Sequence, residues 1–235
     1  MLFRTQFGLI ASAIHISLIL NLCSFGPSCH AEDVVRGMKL VFSEDFENGR
    51  GKWETTDDSS WDVVKGEGNH TLAINKRISN YTPKHRSPHN IAWLKDLPLG
   101  TFAIKVKVRS TKDTGNHRDC CIFFSKQNAD QFYYVHLGAK PDPASGQIMI
   151  VNNAPRSPLT KNEKPVAWDD QWHDVMLIRD AESGLIEVFF DNMTEPIMQC
   201  KDTTFLHGTI GIGSFDDMNE FDNVRVYAAE STSNK

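Results

Sequence analysis

Histidines, arginines and a tyrosine suited to anion or proton chemistry fall in a few short stretches of this chain. His85, Arg86 and His89 stand in Lys84-His85-Arg86-Ser87-Pro88-His89; His117 and Arg118 precede Asp119-Cys120-Cys121; Tyr134 and His136 alternate in Gln131-Phe132-Tyr133-Tyr134-Val135-His136-Leu137. A guanidinium fork pairs bidentately with a carboxylate or sulfate. An imidazole with a near-neutral pKa can abstract a proton, and a phenol can return one to a leaving oxygen. If these stretches meet in space, His85, Arg86, His89, Arg118, Tyr134 and His136 form a ligand-binding set. His117, Arg118, Tyr134 and His136 are then the candidates for catalysis. In the plainer arrangement, Arg118 and Asp119 pair structurally, Tyr134 lies in the core and the histidines decorate the surface.

The elements that must position these groups read as strands and turns. Asp119–Ser125 and Gln131–Leu137 flank the polar connection Lys126-Gln127-Asn128-Ala129-Asp130, the pattern of a hairpin. With the period of two in a strand, Phe132, Tyr134 and His136 share one face, while Tyr133, Val135 and Leu137 share the other. Thr101–Ser110 alternates in the same way: Phe102, Ile104, Val106 and Val108 face inward, and Lys105, Lys107 and Arg109 outward. Asn80–Asn90 is irregular and polar, with Pro83 and Pro88 excluding a central strand. Asn152–Pro165 is a loop long enough to suggest function or mobility. No amphipathic helical period of respectable length appears. Short strands without a mid-chain linker predict an all-β chain folded as a single antiparallel β-sandwich over residues 34–229, followed by a polar tail at 230–235.

The 235 residues carry a net charge of −5 without a basic cluster of nucleic-acid type, which sets nucleic acid aside as a partner. Residues 1–31 read as a signal peptide: Arg4 is their only charge, Phe7–Leu22 is largely apolar, and Cys29-His30-Ala31 offers a cleavage site. The expectation is a secreted or periplasmic protein with no membrane span after cleavage. Cleavage leaves Cys120, Cys121 and Cys200. Neighbours on a strand point to opposite faces and do not pair comfortably with each other. Two arrangements stay open, a bridge from one of the pair to Cys200 or three free thiols; their spacing makes no case for zinc.

Several stretches together carry a family resemblance: Gln171-Trp172-His173-Asp174-Val175, Glu187-Val188-Phe189-Phe190-Asp191-Asn192, Gly208-Thr209-Ile210-Gly211-Ile212-Gly213-Ser214-Phe215-Asp216-Asp217 and Phe221-Asp222-Asn223-Val224-Arg225-Val226. In this order they resemble the concanavalin A-like lectin and glucanase superfamily, in particular the laminin G-like jelly rolls of secreted bacterial proteins. The resemblance implies a jelly roll in which Trp172, Phe189 and Phe190 supply core area and Gly208, Gly211 and Gly213 admit close neighbours. It also implies a structural calcium between the first and last strands, for which Glu44, Asp45 and Asp222 stand in suitable places. The function expected is recognition of a polysaccharide or oligosaccharide through a concave face lined by His, Arg and Tyr. Trp61, Trp93 or Trp168, if exposed, would add stacking on sugar rings. A polysaccharide lyase or glycoside hydrolase using the same face stays open, as does a structural or adhesion module. The Glu-x-Asp-x-x-Glu strand motif of jelly-roll glucanases is absent, which argues against retaining hydrolysis of that type.

Overall fold

The computed structural model describes residues 33–66 and 68–229, together with Met1; the rest of the expected leader and the tail at 230–235 lie outside the described residues. The strands are β1 (Val34–Val35), β2 (Met38–Glu44), β3 (Trp53–Thr55), β4 (Trp61–Lys65), β5 (His70–Ile74), β6 (Asn90–Leu94), β7 (Phe102–Ser110) and β8 (Cys121–Asn128). They continue with β9 (Gln131–His136), β10 (Gln147–Asn152), β11 (Ser157–Pro158), β12 (His173–Arg179), β13 (Leu185–Phe190), β14 (Met198–Lys201), β15 (Thr209–Ser214) and β16 (Asn219–Ala228). One sheet runs β1-β2-β16-β7-β12-β13-β14, with β5 pairing β16 and β4 pairing β5; the other runs β11-β10-β9-β8-β15-β6-β3. All the pairings are antiparallel, and the two sheets pack as a jelly-roll sandwich. Among the described residues no helix is long and apolar enough to cross a membrane.

Alternation decides which side chains reach the core. On β7, Phe102, Ile104, Val106 and Val108 are all at most 2% exposed, with half-buried Lys105, Lys107 and Arg109 between them. They meet Tyr133, Val135 and Leu137 from the other sheet in one cluster between the layers. The opposite faces of β6, β8, β9 and β10 are apolar as well: Ile91, Trp93, Cys121, Phe123, Phe132, Tyr134, Met149 and Val151 form a second buried cluster, with Phe215 at its edge. The hairpin of β8 and β9 therefore has no solvated face along most of its length, and the loops that cover its outer side create the site.

The hairpin differs in detail from expectation. β8 continues to Asn128 through a register shift after Phe124, where Ser125 adopts φ 51°, and the turn shortens to Ala129-Asp130. The bulge absorbs the extra residues on one strand, which lets pairing resume at Asn128 and Gln131. Trp172 is half-buried beside the Arg109 guanidinium, 5.0 Å from its ring centre, outside the main core expected for it. The glycines behave as their spacing suggests. A Cβ at Gly213 would lie 2.0 Å from the Asn90 carbonyl oxygen, so only glycine lets β15 and β6 close at that point. All three cysteines are free, which leaves the Cys200 bridge unformed.

Candidate functional site

The covering loops open into a cleft of about 270 Å³ above the end of β9, lined by β9 itself and by five further segments. β9 delivers His136 on the face it shares with Phe132 and Tyr134. The segment ahead of β8 brings His117 and Asp119, and the turn after β15 brings Phe215 and Asp216. Arg86 comes from the loop between β5 and β6, Lys140 from the loop after β9, and Arg156 from the loop between β10 and β11. A backbone hydrogen bond from the Arg156 N–H to the Arg86 carbonyl (3.0 Å) ties two of these loops together. The Arg86 loop is also anchored at its start, where the Asp57 carboxylate accepts from the Asn80 N–H at 2.7 Å.

Phe215 is the platform of the cleft. The His136 ring stacks on it at 5.7 Å and 16°, His89 meets it edge-on at 5.5 Å, and the guanidinium carbons of Arg156 and Arg86 lie 4.1 and 5.9 Å from its centre. Cations over an aromatic face are attracted by its quadrupole, which holds both arginines at this spot. Arg156 Nη2 donates to the Ala144 carbonyl at 3.2 Å, while its Nη1 is buried without any hydrogen-bond partner. Because the Arg156 side chain also lines the cleft, rotation of its guanidinium would present this spare donor to an incoming oxyanion.

Asp119 organises the floor. Its Oδ1 accepts from the Ser214 hydroxyl (2.7 Å) and the Phe215 N–H (2.9 Å), and its Oδ2 from the Asp216 N–H (3.2 Å). His136 Nε2 stands 3.5 Å from Oδ2, and His136 Nδ1 bonds the Ala144 carbonyl at 3.1 Å. Burial alone would push the Asp119 carboxyl up; the bond and charge of His136, with the Phe215 and Ser214 donors, outweigh it and hold Asp119 below its ordinary value. Beside it Asp217 accepts from Ser110 (2.7 Å), Thr114 (3.0 Å) and the Asp119 N–H (3.3 Å). Burial, with the negative charge of Asp119 adding to it, outweighs these donors and raises the Asp217 carboxyl to about 6.

The residues singled out from the sequence divide at this cleft. Arg86, His117 and His136 line it, and His89 touches its platform. His117, with its side chain 64% exposed, sits at the mouth with Nδ1 3.4 Å from Asp216 Oδ2. His85 is half-buried and outside the lining. Tyr134 is a correction: it is fully buried beneath the floor, stacked on Phe123 at 5.6 Å, and burial lifts its phenol well above the usual range, so it presents nothing to a ligand. Arg118 is the other correction. Strand alternation turns it away from Asp119 and the cleft, toward Asp113, with Nε 3.6 Å from Oδ1. Trp61 and Trp93 are buried and offer no exposed ring; half-buried Trp168 donates its indole N–H to the Leu137 carbonyl at 2.7 Å. Arg156, Lys140 and Phe215 were not anticipated as site residues; the length of Asn152–Pro165 was the one signal pointing toward Arg156.

Of the acids expected to bind calcium, Glu44 and Asp45 line one groove between β2 and β16, and Asp222 is outside that lining. Glu44 accepts from the Phe46 N–H (3.2 Å) and pairs with Lys52 at 3.3 Å, Asp45 caps the Glu47 N–H, and Asp222 accepts from Asn69 and Asn223. Among the described residues the one group of three His, Cys, Asp or Glu donor atoms gathered within 4.8 Å is Asp119, Cys121 and His136.

No protein-family model matches the sequence, and no curated protein matches it as a relative. Solved structures do match. The carbohydrate binding module CBM66 from Bacillus subtilis superposes with a TM-score of 0.55 at 14% identity, over 75% of this chain and 96% of that one. Domain 4 of AbnA, a GH43 extracellular arabinanase from Geobacillus stearothermophilus solved with arabinotriose, gives 0.53 at 11% identity, over 82% and 94%. The fold is the jelly-roll β-sandwich that these structures share. The winged bean acidic lectin, solved with methyl-α-D-galactose, fits the same assignment with a TM-score of 0.53 at 12% identity, covering 79% of this chain and 96% of the lectin. At such identities the likeness establishes the jelly-roll sandwich alone, and the site has to be argued from its own residues.

Proposed function

We propose that this concanavalin A-like protein binds a polysaccharide or oligosaccharide carrying acidic groups, carboxylate or sulfate, in the cleft around Phe215. The observation that carries the reading is Arg156, whose buried Nη1 lacks a partner at a wall it shares with Arg86, Lys140 and His117. A ring flanked by guanidinium groups offers an apolar surface for a sugar face and charged donors for its substituent. The carbohydrate binding module, the arabinanase domain with its arabinotriose and the lectin with its galactoside support the general class of ligand on the same fold. The test is affinity electrophoresis of the protein through neutral, uronate-containing and sulfated polysaccharides. Retardation by acidic polymers, lost in Arg156→Ala, supports the reading; equal mobility in every gel rejects it.

Eliminative or hydrolytic cleavage in the same cleft is a second reading, favoured by one residue. His117 is held by Asp216 through Nδ1 and is largely exposed, as a proton acceptor at the mouth should be. His136 is less suited to that part, because both of its ring nitrogens face acceptors within the protein. Following reducing ends and unsaturated-product absorbance with the same polymers separates the readings. Turnover abolished by His117→Ala makes the protein an enzyme, and retardation without turnover makes it a binding module.

A further inference from the structure

We propose that Asp119, Cys121 and His136 bind a zinc-class divalent cation at the floor of the cleft. The topology brings them together. Asp119 and Cys121 are two residues apart on one extended segment and share a face, and His136 is the register partner of Cys121 across the hairpin. Their donor atoms lie within 4.8 Å of one another, with Cys121 Sγ 4.0 Å from Asp119 Oδ1 and His136 Nε2 3.5 Å from Asp119 Oδ2.

The longer of the two possible bridges fits that nitrogen–oxygen gap. A proton shared between imidazolium and carboxylate draws the heavy atoms to about 2.7–2.9 Å. Two ligands each about 2.0–2.1 Å from a tetrahedral ion stand roughly 3.3 Å apart. Nδ1 of His136 faces the Ala144 carbonyl at 3.1 Å, the outer contact of a metal-binding histidine, so a cation would take the place of the proton that Nε2 otherwise presents to Asp119. Asp119 is oriented in the same way, by Ser214 and the Phe215 N–H on Oδ1 and by the Asp216 N–H on Oδ2, with Oδ2 also directed at His136.

Nitrogen, oxygen and sulfur donors together select a borderline-soft ion of the zinc type over calcium or magnesium. Binding forms a metal–sulfur bond and releases the Cys121 thiol proton to solvent, so that carboxylate and thiolate together balance the two positive charges. Asp119 and His136 line the cleft and Cys121 lies behind them. The fourth position of a tetrahedral ion therefore faces the cleft, where water or a ligand oxygen would complete it.

The test uses the full chain, stripped with a chelator and titrated with Co²⁺ and then Zn²⁺. One equivalent of Co²⁺ should bind with the absorption bands of a tetrahedral site and a thiolate-to-metal charge-transfer band, and Zn²⁺ should displace it. Cys121→Ser and His136→Gln, each checked for folding by circular dichroism, should abolish stoichiometric binding, and Cys200→Ser should leave it unchanged. A folded wild-type chain that retains no metal overturns the proposal. So does binding that survives Cys121→Ser, or a nitrogen NMR spectrum showing both His136 ring nitrogens protonated after metal is added.

Discussion

Two polar depressions of similar size lie on this sandwich, and they are built differently. The cleft at Phe215 encloses about 270 Å³; the groove between β2 and β16, lined by Ser43, Glu44, Asp45, Asn48, Lys52, Asn223 and Arg225, encloses about 310 Å³. In the groove the charges are closed by near neighbours: Glu44 by Lys52 and the Phe46 N–H, and Arg225 by Asp33 at 2.9 Å. In the cleft, loops remote in sequence bring several cations to one ring, and a buried guanidinium nitrogen stays without an acceptor. Charge density is common to both, and an open donor distinguishes one of them. Buried donors without a partner also occur at Arg118 and Arg179; the Arg156 nitrogen differs from them in belonging to a side chain that lines the cleft.

The contrast can be broken by substitution, and the largest effect should come from the floor of the cleft. Asp119→Ala strips the acceptor from the Ser214 hydroxyl and the Phe215 and Asp216 amides, and should destabilise the fold by about 3–5 kcal/mol in denaturant unfolding. Glu44→Ala in the groove loses one amide acceptor and a partly exposed pair, and should cost only about 1 kcal/mol. On binding, Arg156→Ala should weaken retention by acidic polysaccharide roughly tenfold or more, the equivalent of a charge-assisted bond of about 1.5–3 kcal/mol. Arg225→Ala should leave retention unchanged, because its charge is already paired. An unchanged Arg156 variant would erase the distinction between the two depressions.

A finer test lies at the anchor of the Arg86 loop. Asp57 accepts from the Asn80 N–H and from Ser59 and Ser60, and the Asn80 bond above all holds its carboxyl well below the usual range. Because its folded pKa is depressed, the carboxylate's contribution is complete above the unfolded value and fades as pH falls toward the folded one. The melting temperature of wild type should therefore exceed that of Asp57→Asn by a constant margin from about pH 7 to pH 5, and the margin should begin to narrow below roughly pH 4 and go on narrowing with further acid. A margin that instead grows on acidification would contradict the assignment. The smallest effect is expected from ionic strength: raising salt from about 0.05 to 0.5 M should loosen acidic-glycan retention severalfold, since exposed Arg86 and Lys140 are screened, without moving the melting temperature appreciably.

Much of the sandwich was legible before any coordinates. Period-two alternation placed Phe102, Ile104, Val106 and Val108 in the core and separated the two faces of Gln131–Leu137 correctly, because burial on a pleated sheet follows local order. Alternation could not say that the outer face would also be buried. That depends on the loops that cross it, and Tyr134 disappeared from the candidate site for this reason. The same limit applied to Arg156 and Phe215. Their meeting is set by loop paths over more than fifty residues, and no local pattern encodes it. Arg118 was misplaced through neighbouring residues being grouped without regard to the face each one takes.

The stack on Phe215 has a thermodynamic consequence. His136, Arg156 and Arg86 are already packed against one ring before any ligand arrives. Long cationic side chains usually lose rotamer freedom on capture, at about 0.5–1.5 kcal/mol each. Here that loss is borne by folding, so association should show a smaller unfavourable entropy than capture by loose surface arginines. Calorimetry on Phe215→Leu should reveal it as a more negative binding entropy, with the guanidinium groups still present but no longer held in place.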